Sequence, residues 1–117
     1  MEISQEKYKV TYQENDHCIC FEGSIRLHGG ESDYQEIVQL LNQIADAEPP
    51  IVTINLEELQ FLNSLGISLL SKFVINVRKR KTMQMIVRAN EDIPWQRKSL
   101  KNLQRLMPNL QLHLVTA

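Results

Sequence analysis

The sequence has 117 residues, of which 43% are hydrophobic and 23% are charged, and its formal net charge is −1. This length and composition predict one globular domain over residues 1–117 and exclude a disordered chain. A net charge near zero provides no global field that would attract nucleic acid or anionic lipid. No segment has 18 uncharged apolar residues, and the start lacks a signal-peptide pattern. We therefore expect a cytoplasmic protein that binds neither nucleic acid nor a membrane.

The first half of the chain predicts two strands, a helix and a third strand. Residues 8–12 alternate between apolar and polar, and residues 17–23 predict a second strand that pairs antiparallel with the first. From Tyr34 onward, apolar residues recur with the spacing of one helix face, and this helix ends before Pro49. The β-branched run 51–54 then predicts a strand in the middle of the sheet.

The second half predicts two further helices and two further strands. Apolar spacing indicates a helix over 64–78, a strand over 83–87, a helix over 93–108 and a strand over 110–115. The predicted order is β-β-α-β-α-β-α-β. An antiparallel hairpin followed by alternating helices and strands predicts an α/β domain, in which the later strands are parallel and amphipathic helices pack on the sheet.

The sequence gives no motif for catalysis, a metal or a cofactor. Two cysteines, Cys18 and Cys20, are separated by one residue. We expect them to point to opposite faces of a strand and to remain reduced as small hydrophobic residues. Without further cysteines, and with only scattered histidines, the chain lacks the ligand set of a metal site. We expect a protein that is not an enzyme and carries no cofactor.

Small polar residues stand at the start of the most hydrophobic helix. The side-chain oxygens of Asn63 and Ser64 can accept hydrogen bonds from the unpaired N–H groups of the first turn. Ser64 is therefore either a helix cap or an exposed hydroxyl at the positive end of the helix. Gly66 leaves this turn without a side chain, so that another molecule or a phosphate could approach the backbone closely.

Residues 52–70, VTINLEELQFLNSLGISLL, resemble the signature of STAS domains, the fold of bacterial anti-sigma-factor antagonists. In that family a strand ending in Asp-Leu-Ser leads to Asp-Ser-Ser/Thr-Gly and then to an apolar helix. Asn55-Leu56 takes the place of the first motif, and Asn-Ser-Leu-Gly at 63–66 takes the place of the second. More loosely, FEGSIRL at 21–27 resembles the family's Gly-x-Leu-Asp region. The tail at 94–108 resembles that of small stand-alone STAS-like proteins of cyanobacteria.

The resemblance implies a regulator that binds proteins in a partner-switching pathway. In the family, a serine accepts phosphate from a protein kinase that is also an anti-sigma factor, and a cognate phosphatase removes it. The residue of this sequence at that position is Ser64. Asn63 replaces the usual acidic residue and Leu65 replaces a second hydroxyl residue. Residues expected at the partner-facing edge are Asn63, Leu65 and Gly66, Glu57 and Glu58 in the loop before the site, and Glu31 and Asp33 at the start of the first helix. The alternative is a STAS-fold scaffold that binds its partner constitutively and never carries phosphate.

Overall fold

The structure, a computed structural model, describes residues 1–28 and 32–115, which form one sheet and three helices. The strands are β1 (Glu2–Ser4), β2 (Tyr8–Gln13), β3 (Cys18–Ile25), β4 (Ile51–Leu62), β5 (Gln84–Asn90) and β6 (Gln111–Val115). The helices are α1 (Ser32–Ala47), α2 (Ser64–Arg80) and α3 (Pro94–Leu106). None of the helices in these described ranges is both long enough and apolar enough to cross a membrane.

The order of the strands in the sheet is the order of the sequence, β1 to β6. The first three strands are antiparallel, and β3 to β6 are parallel. This confirms the predicted α/β class with its antiparallel hairpin and later parallel strands. The structure adds β1, which pairs antiparallel with β2 and was not predicted because three residues are too few to display an alternating pattern.

The two faces of the sheet differ in burial. Side chains on one face belong to the core that the helices complete, and each is at most 3% exposed: Val10, Ile19, Phe21, Val52, Ile54, Met85 and Val87. The opposite face is open, with side chains that are half-buried or exposed: Lys9, Thr11, Cys20, Thr53, Asn55, Arg88 and His113. Because strand side chains alternate between faces, the helices cover one face and leave the other open.

Cys18 and Cys20 lie together on this open face, with their Sγ atoms 3.6 Å apart. The expectation that they face opposite sides was wrong, because residues two apart on a strand share a face. Both are free cysteines. Burial first, and then the hydrogen bond with Cys20, raises the pKa of Cys18 to about 12. Its thiol is therefore protonated at neutral pH.

β4 is twelve residues long, whereas the sequence predicted a strand only over 51–54. Its first part pairs with both β3 and β5, and its last part pairs with β3 alone. Two register shifts against β3 each place one extra residue in β4, which is the geometry of a β-bulge. Glu57 and Glu58 therefore lie on β4, and the prediction that they lie in a loop was wrong.

Side chains from the start of α3 bind the part of β4 that β5 does not reach. Gln96 is fully buried, and its Nε2 donates to the carbonyl oxygens of Leu56 at 2.7 Å and Leu59 at 3.0 Å. Its Oε1 accepts a hydrogen bond from the backbone N–H of Asn90 at 2.8 Å. Trp95 Nε1 also donates to Leu59 O, at 3.1 Å. The first turn of α3 thus replaces a neighbouring strand for this part of β4.

Basic residues at the end of α2 connect the three helices. Arg78 Nη1 donates to the carbonyl oxygen of Leu106 in α3, at 2.8 Å. Arg80 Nη2 lies 2.6 Å from Asp46 Oδ1 in α1. The positions of Arg78 and Arg80 are therefore explained by these contacts with neighbouring helices and by the favourable placement of cations at a helix C-terminus.

We expect Gln96→Ala to lower the free energy of unfolding by about 3 kcal/mol, because Leu56 O and Asn90 N–H lose a buried hydrogen-bonding partner. Urea denaturation followed by circular dichroism measures this change. Gln104→Ala, at an exposed position of the same helix, is the matched control and should change stability by less than about 0.5 kcal/mol. Equal stability of the two variants would contradict a structural role for the Gln96 amide.

Candidate functional site

Asn63 is the N-cap of α2. Its backbone is extended, with φ −78° and ψ 175°, and its Oδ1 accepts a hydrogen bond from the backbone N–H of Gly66 at 3.1 Å. Its carbonyl oxygen accepts the first helical hydrogen bond, from Ile67 N–H at 3.0 Å. Both features are those of an asparagine cap, which satisfies one of the free donors of the first turn.

The same residue joins the helix to the end of β3. The backbone N–H of Asn63 donates to Ile25 O at 3.1 Å, and its side-chain Nδ2 donates to Leu27 O at 2.8 Å. An aspartate would keep the cap but could not donate to Leu27 O, because an ionised carboxylate only accepts. This bond gives a physical reason for asparagine where the STAS signature has an acidic residue.

Ser64 is the first residue of α2, and its side chain is exposed. Since Asn63 performs the capping, the alternative that Ser64 is the helix cap is excluded. No hydrogen bond of the Ser64 hydroxyl to the rest of the described chain is present. The hydroxyl is therefore accessible at the positive end of a helix of 17 residues.

The two residues after Ser64 differ in how they meet the core. Leu65 is half-buried and packs partly against the core, so part of its side chain forms surface beside the Ser64 hydroxyl. Gly66 is buried, and a Cβ atom there would lie 2.2 Å from Cδ1 of Leu62, itself a core residue. A side chain at residue 66 would therefore collide with Leu62, which gives the glycine a role in packing.

Arg26 lies between Ile25 and Leu27, the two residues whose carbonyl oxygens bind Asn63. The guanidinium of Arg26 stacks over the ring of Phe61, 4.2 Å from its centroid. Arg26 also lines a cleft of about 230 Å³ together with Gln5 and Asp33, and Gln5 Nε2 donates to Asp33 Oδ1 at 3.3 Å. Arg26 and Asp33 thus line the same cleft. Sequence reasoning missed Arg26, because its only signal is its place directly before Leu27.

The remaining residues that were predicted at the partner-facing edge are acidic. Glu57 is half-buried and forms an ion pair with Arg88, with Oε2 and Nη2 3.0 Å apart. Glu58 is exposed and lies opposite Glu22 of β3 in the sheet register, so two carboxylates neighbour each other on the open face. The structure does not group these residues with the first turn of α2. Glu31 lies outside the described residues.

The comparison with known proteins gives structural matches alone. No family model matches the chain, and no curated protein does. SiaC of Pseudomonas aeruginosa matches with a TM-score of 0.74 at 5% identity, over 100% of this chain and 98% of SiaC. An anti-sigma factor antagonist from Mycobacterium paratuberculosis, which has the STAS fold, matches with a TM-score of 0.60 at 18% identity, over 95% of this chain and 82% of that one.

The chain has the STAS fold. A further match is a chain in the crystal structure of the diguanylate cyclase SiaD in complex with its activator SiaC, from Pseudomonas aeruginosa, with a TM-score of 0.73 at 6% identity over 100% of this chain and 99% of that one. At such low identity the similarity is one of backbone architecture. It confirms the fold that residues 52–70 indicated.

We expect Asn63→Ala to lower the free energy of unfolding by about 2 kcal/mol, because it removes both the helix cap and the bond to Leu27 O. Asn63→Asp, which keeps only the cap, should cost less. Ser64→Ala should change stability by less than about 0.5 kcal/mol, since the hydroxyl makes no bond within the described chain. Urea denaturation of the three variants tests the order. A loss for Ser64→Ala as large as that for Asn63→Ala would show that Ser64 has a structural role.

Proposed function

We propose that this protein is a phosphorylation-controlled regulator that binds other proteins in a partner-switching pathway, with Ser64 as the phosphate acceptor. One observation carries the proposal: the Ser64 hydroxyl is exposed on the first turn of α2 and is not used for capping, because Asn63 is the cap. A residue without a structural task can be modified without disturbing the fold.

The position of Ser64 suits a phosphate. A kinase supplies the nucleotide and the metal, so its substrate needs only an accessible hydroxyl. A phosphoserine carries about −1.5 to −2 charges at neutral pH. At a helix N-terminus this charge is favourable, because the first N–H groups, here those of Ser64 and Leu65, have no partner within the helix. Phosphorylation should therefore leave the fold stable.

The same charge should disturb binding. A partner that covers the first turn of α2 would have to contact Leu65, which offers apolar surface next to the hydroxyl. A phosphate there would lose its water and find no counter-charge in an apolar contact, which is costly. Phosphorylation would thus release the partner without refolding the regulator.

We propose as partners a serine kinase that also acts as an anti-sigma factor, and a cognate phosphatase, all in the cytoplasm. The chain itself would perform no catalysis and would bind neither nucleic acid nor a membrane. The contact surface would centre on Asn63, Leu65 and the compact turn that Gly66 permits. Its rim would include Asp33 and Glu31, whereas Glu57 and Glu58, on the open face of the sheet, would meet a partner that extends beyond the first turn of α2. The exposed carboxylate of Glu58 is freer to meet a basic partner than that of Glu57, which Arg88 binds.

The named neighbours support a regulatory binding role. One is an anti-sigma factor antagonist, and SiaC is described as the activator of a diguanylate cyclase with which it forms a complex. Each is thus a protein that acts on another protein. The proposed role is therefore of a kind that other proteins with this fold perform.

A second candidate is a scaffold that binds its partner constitutively. The observation that favours it is the bond from Asn63 Nδ2 to Leu27 O, which gives residue 63 a structural task in place of the acidic side chain of the family signature. In this case Ser64 would never carry phosphate. Purification of the protein from its own cells, followed by mass spectrometry, would identify the bound partner and the state of Ser64 in the same sample.

Calorimetry with the identified partner should separate the two candidates. We expect Ser64→Asp to weaken binding by at least about tenfold, since its carboxylate must be desolvated beside Leu65. Ser64→Asn, which introduces a side chain of the same size as aspartate but without its charge, is the matched control. It should bind within about threefold of the wild type. All variants should melt at or near the wild-type temperature. Equal affinities for wild type, Ser64→Asp and phosphorylated protein would leave the scaffold as the function.

A further inference from the structure

β6 is the outermost strand of the sheet, and no strand of residues 1–28 or 32–115 pairs with its outer edge. We propose that this edge binds a second copy of the chain, with the two β6 strands pairing antiparallel across a twofold axis at His113. The proposal depends only on β6 and its neighbours, and it is independent of what happens at Ser64.

The two edges of the sheet are not equally protected. The edge formed by β1 has only three residues, and it carries Glu2, whose carboxylate lies 3.4 Å from Lys9 Nζ. β6 has five residues, QLHLV, with no lysine, arginine, aspartate, glutamate or proline among them. Charges, proline and very short length are the usual devices that prevent an edge strand from pairing with another chain. β6 has neither charged residues nor proline.

The backbone of β6 is oriented to pair outward at two residues. The carbonyl oxygen of Val115 accepts a hydrogen bond from Glu91 N–H at 2.8 Å, so Val115 faces β5. Because successive residues of a strand turn their N–H and C=O groups to opposite sides, His113 also faces β5. Leu112 and Leu114 therefore turn their N–H and C=O groups to the outer edge.

Twofold symmetry satisfies all of these outward groups. With the axis at His113, Leu112 of one copy lies opposite Leu114 of the second copy, and the reverse pair is equivalent. Each such pair exchanges two N–H···O=C bonds, which gives four bonds in total. The two His113 residues then form the central pair without hydrogen bonds, with Cα atoms about 4.5 Å apart.

The side chains also indicate a second copy as the occupant. Leu110, Leu112 and Leu114 lie on the helix side of β6; Leu110 is buried, Leu112 is partly buried and Leu114 is 47% exposed. In the dimer, each Leu114 packs against Leu112 of the second copy and loses contact with water. The edge is uncharged, so it meets its own copy without like-charge repulsion, and a charged partner strand would find no counter-charge on it.

The size of this contact predicts a weak dimer. Two strands of five residues bury less than the roughly 1,600 Å² of a standard stable interface. We therefore expect monomer and dimer to exchange with concentration. Sedimentation velocity over a wide concentration range, with the full chain, should show the wild type passing from monomer to dimer.

Two variants test the geometry. Leu114→Pro removes an outward N–H in each copy without removing a bond to β5, and it should raise the dissociation constant by at least about tenfold. His113→Lys places two like charges across the axis and should raise it by about fivefold. The matched control is Gln111→Lys, which adds the same charge on the same face but lies opposite Val115 of the second copy; it should change the constant by less than about twofold.

Circular dichroism melting curves check that each variant is folded, and if Leu114→Pro is unfolded the two lysine variants decide. A wild type that stays monomeric at every concentration would overturn the proposal. So would a dimer that His113→Lys leaves unchanged, or one that Gln111→Lys weakens equally. Ser64→Asp should dimerise like the wild type, so a failure of the dimer does not bear on the role of Ser64.

Discussion

The hydrogen bonds of Asn63 hold together the end of the molecule that carries the candidate site. Four bonds converge on this residue, two from its backbone and two from its side chain, and they reach β3, the segment after β3 and the first turn of α2. They fix where β4 ends and in which direction α2 begins. Because the side chain both donates and accepts, the aspartate of the family signature, whose carboxylate only accepts, could not provide the same set of bonds.

A second constraint acts on β4, which leads into this site. The strand must remain extended for twelve residues although β5 accompanies only its first part. Unpaired carbonyl groups inside a protein are costly, and Gln96 and Trp95 supply the missing donors from the start of α3. The position of Ser64 thus depends on contacts from a helix that follows it by thirty residues in the chain.

At this site, the residues that hold the fold together are different from those that are accessible to another molecule. Asn63 and Gly66 are committed to bonding and packing, whereas the neighbouring Ser64 hydroxyl is exposed and Leu65 offers part of its side chain to solvent. A negative charge added at Ser64 changes the surface and not the bonds that hold the helix in place. The same division applies to the sheet, whose helix-covered face is committed to the core while its outer edge at β6 retains unpaired backbone groups.

The sequence by itself determined the α/β class, the antiparallel hairpin, the parallel strands and the start of α2, because each follows from local periodicity and turn chemistry. It also determined that Asn63 and Ser64 stand at the beginning of a helix. Only the tertiary structure decided which of them is the cap, because the choice depends on Leu27, which is 36 residues away along the chain. The length of β4, the pairing of β1 and the role of Gln96 were likewise decided by partners far away in sequence. A local pattern records what a residue prefers, whereas hydrogen-bond partners and packing neighbours are fixed only when the chain is folded.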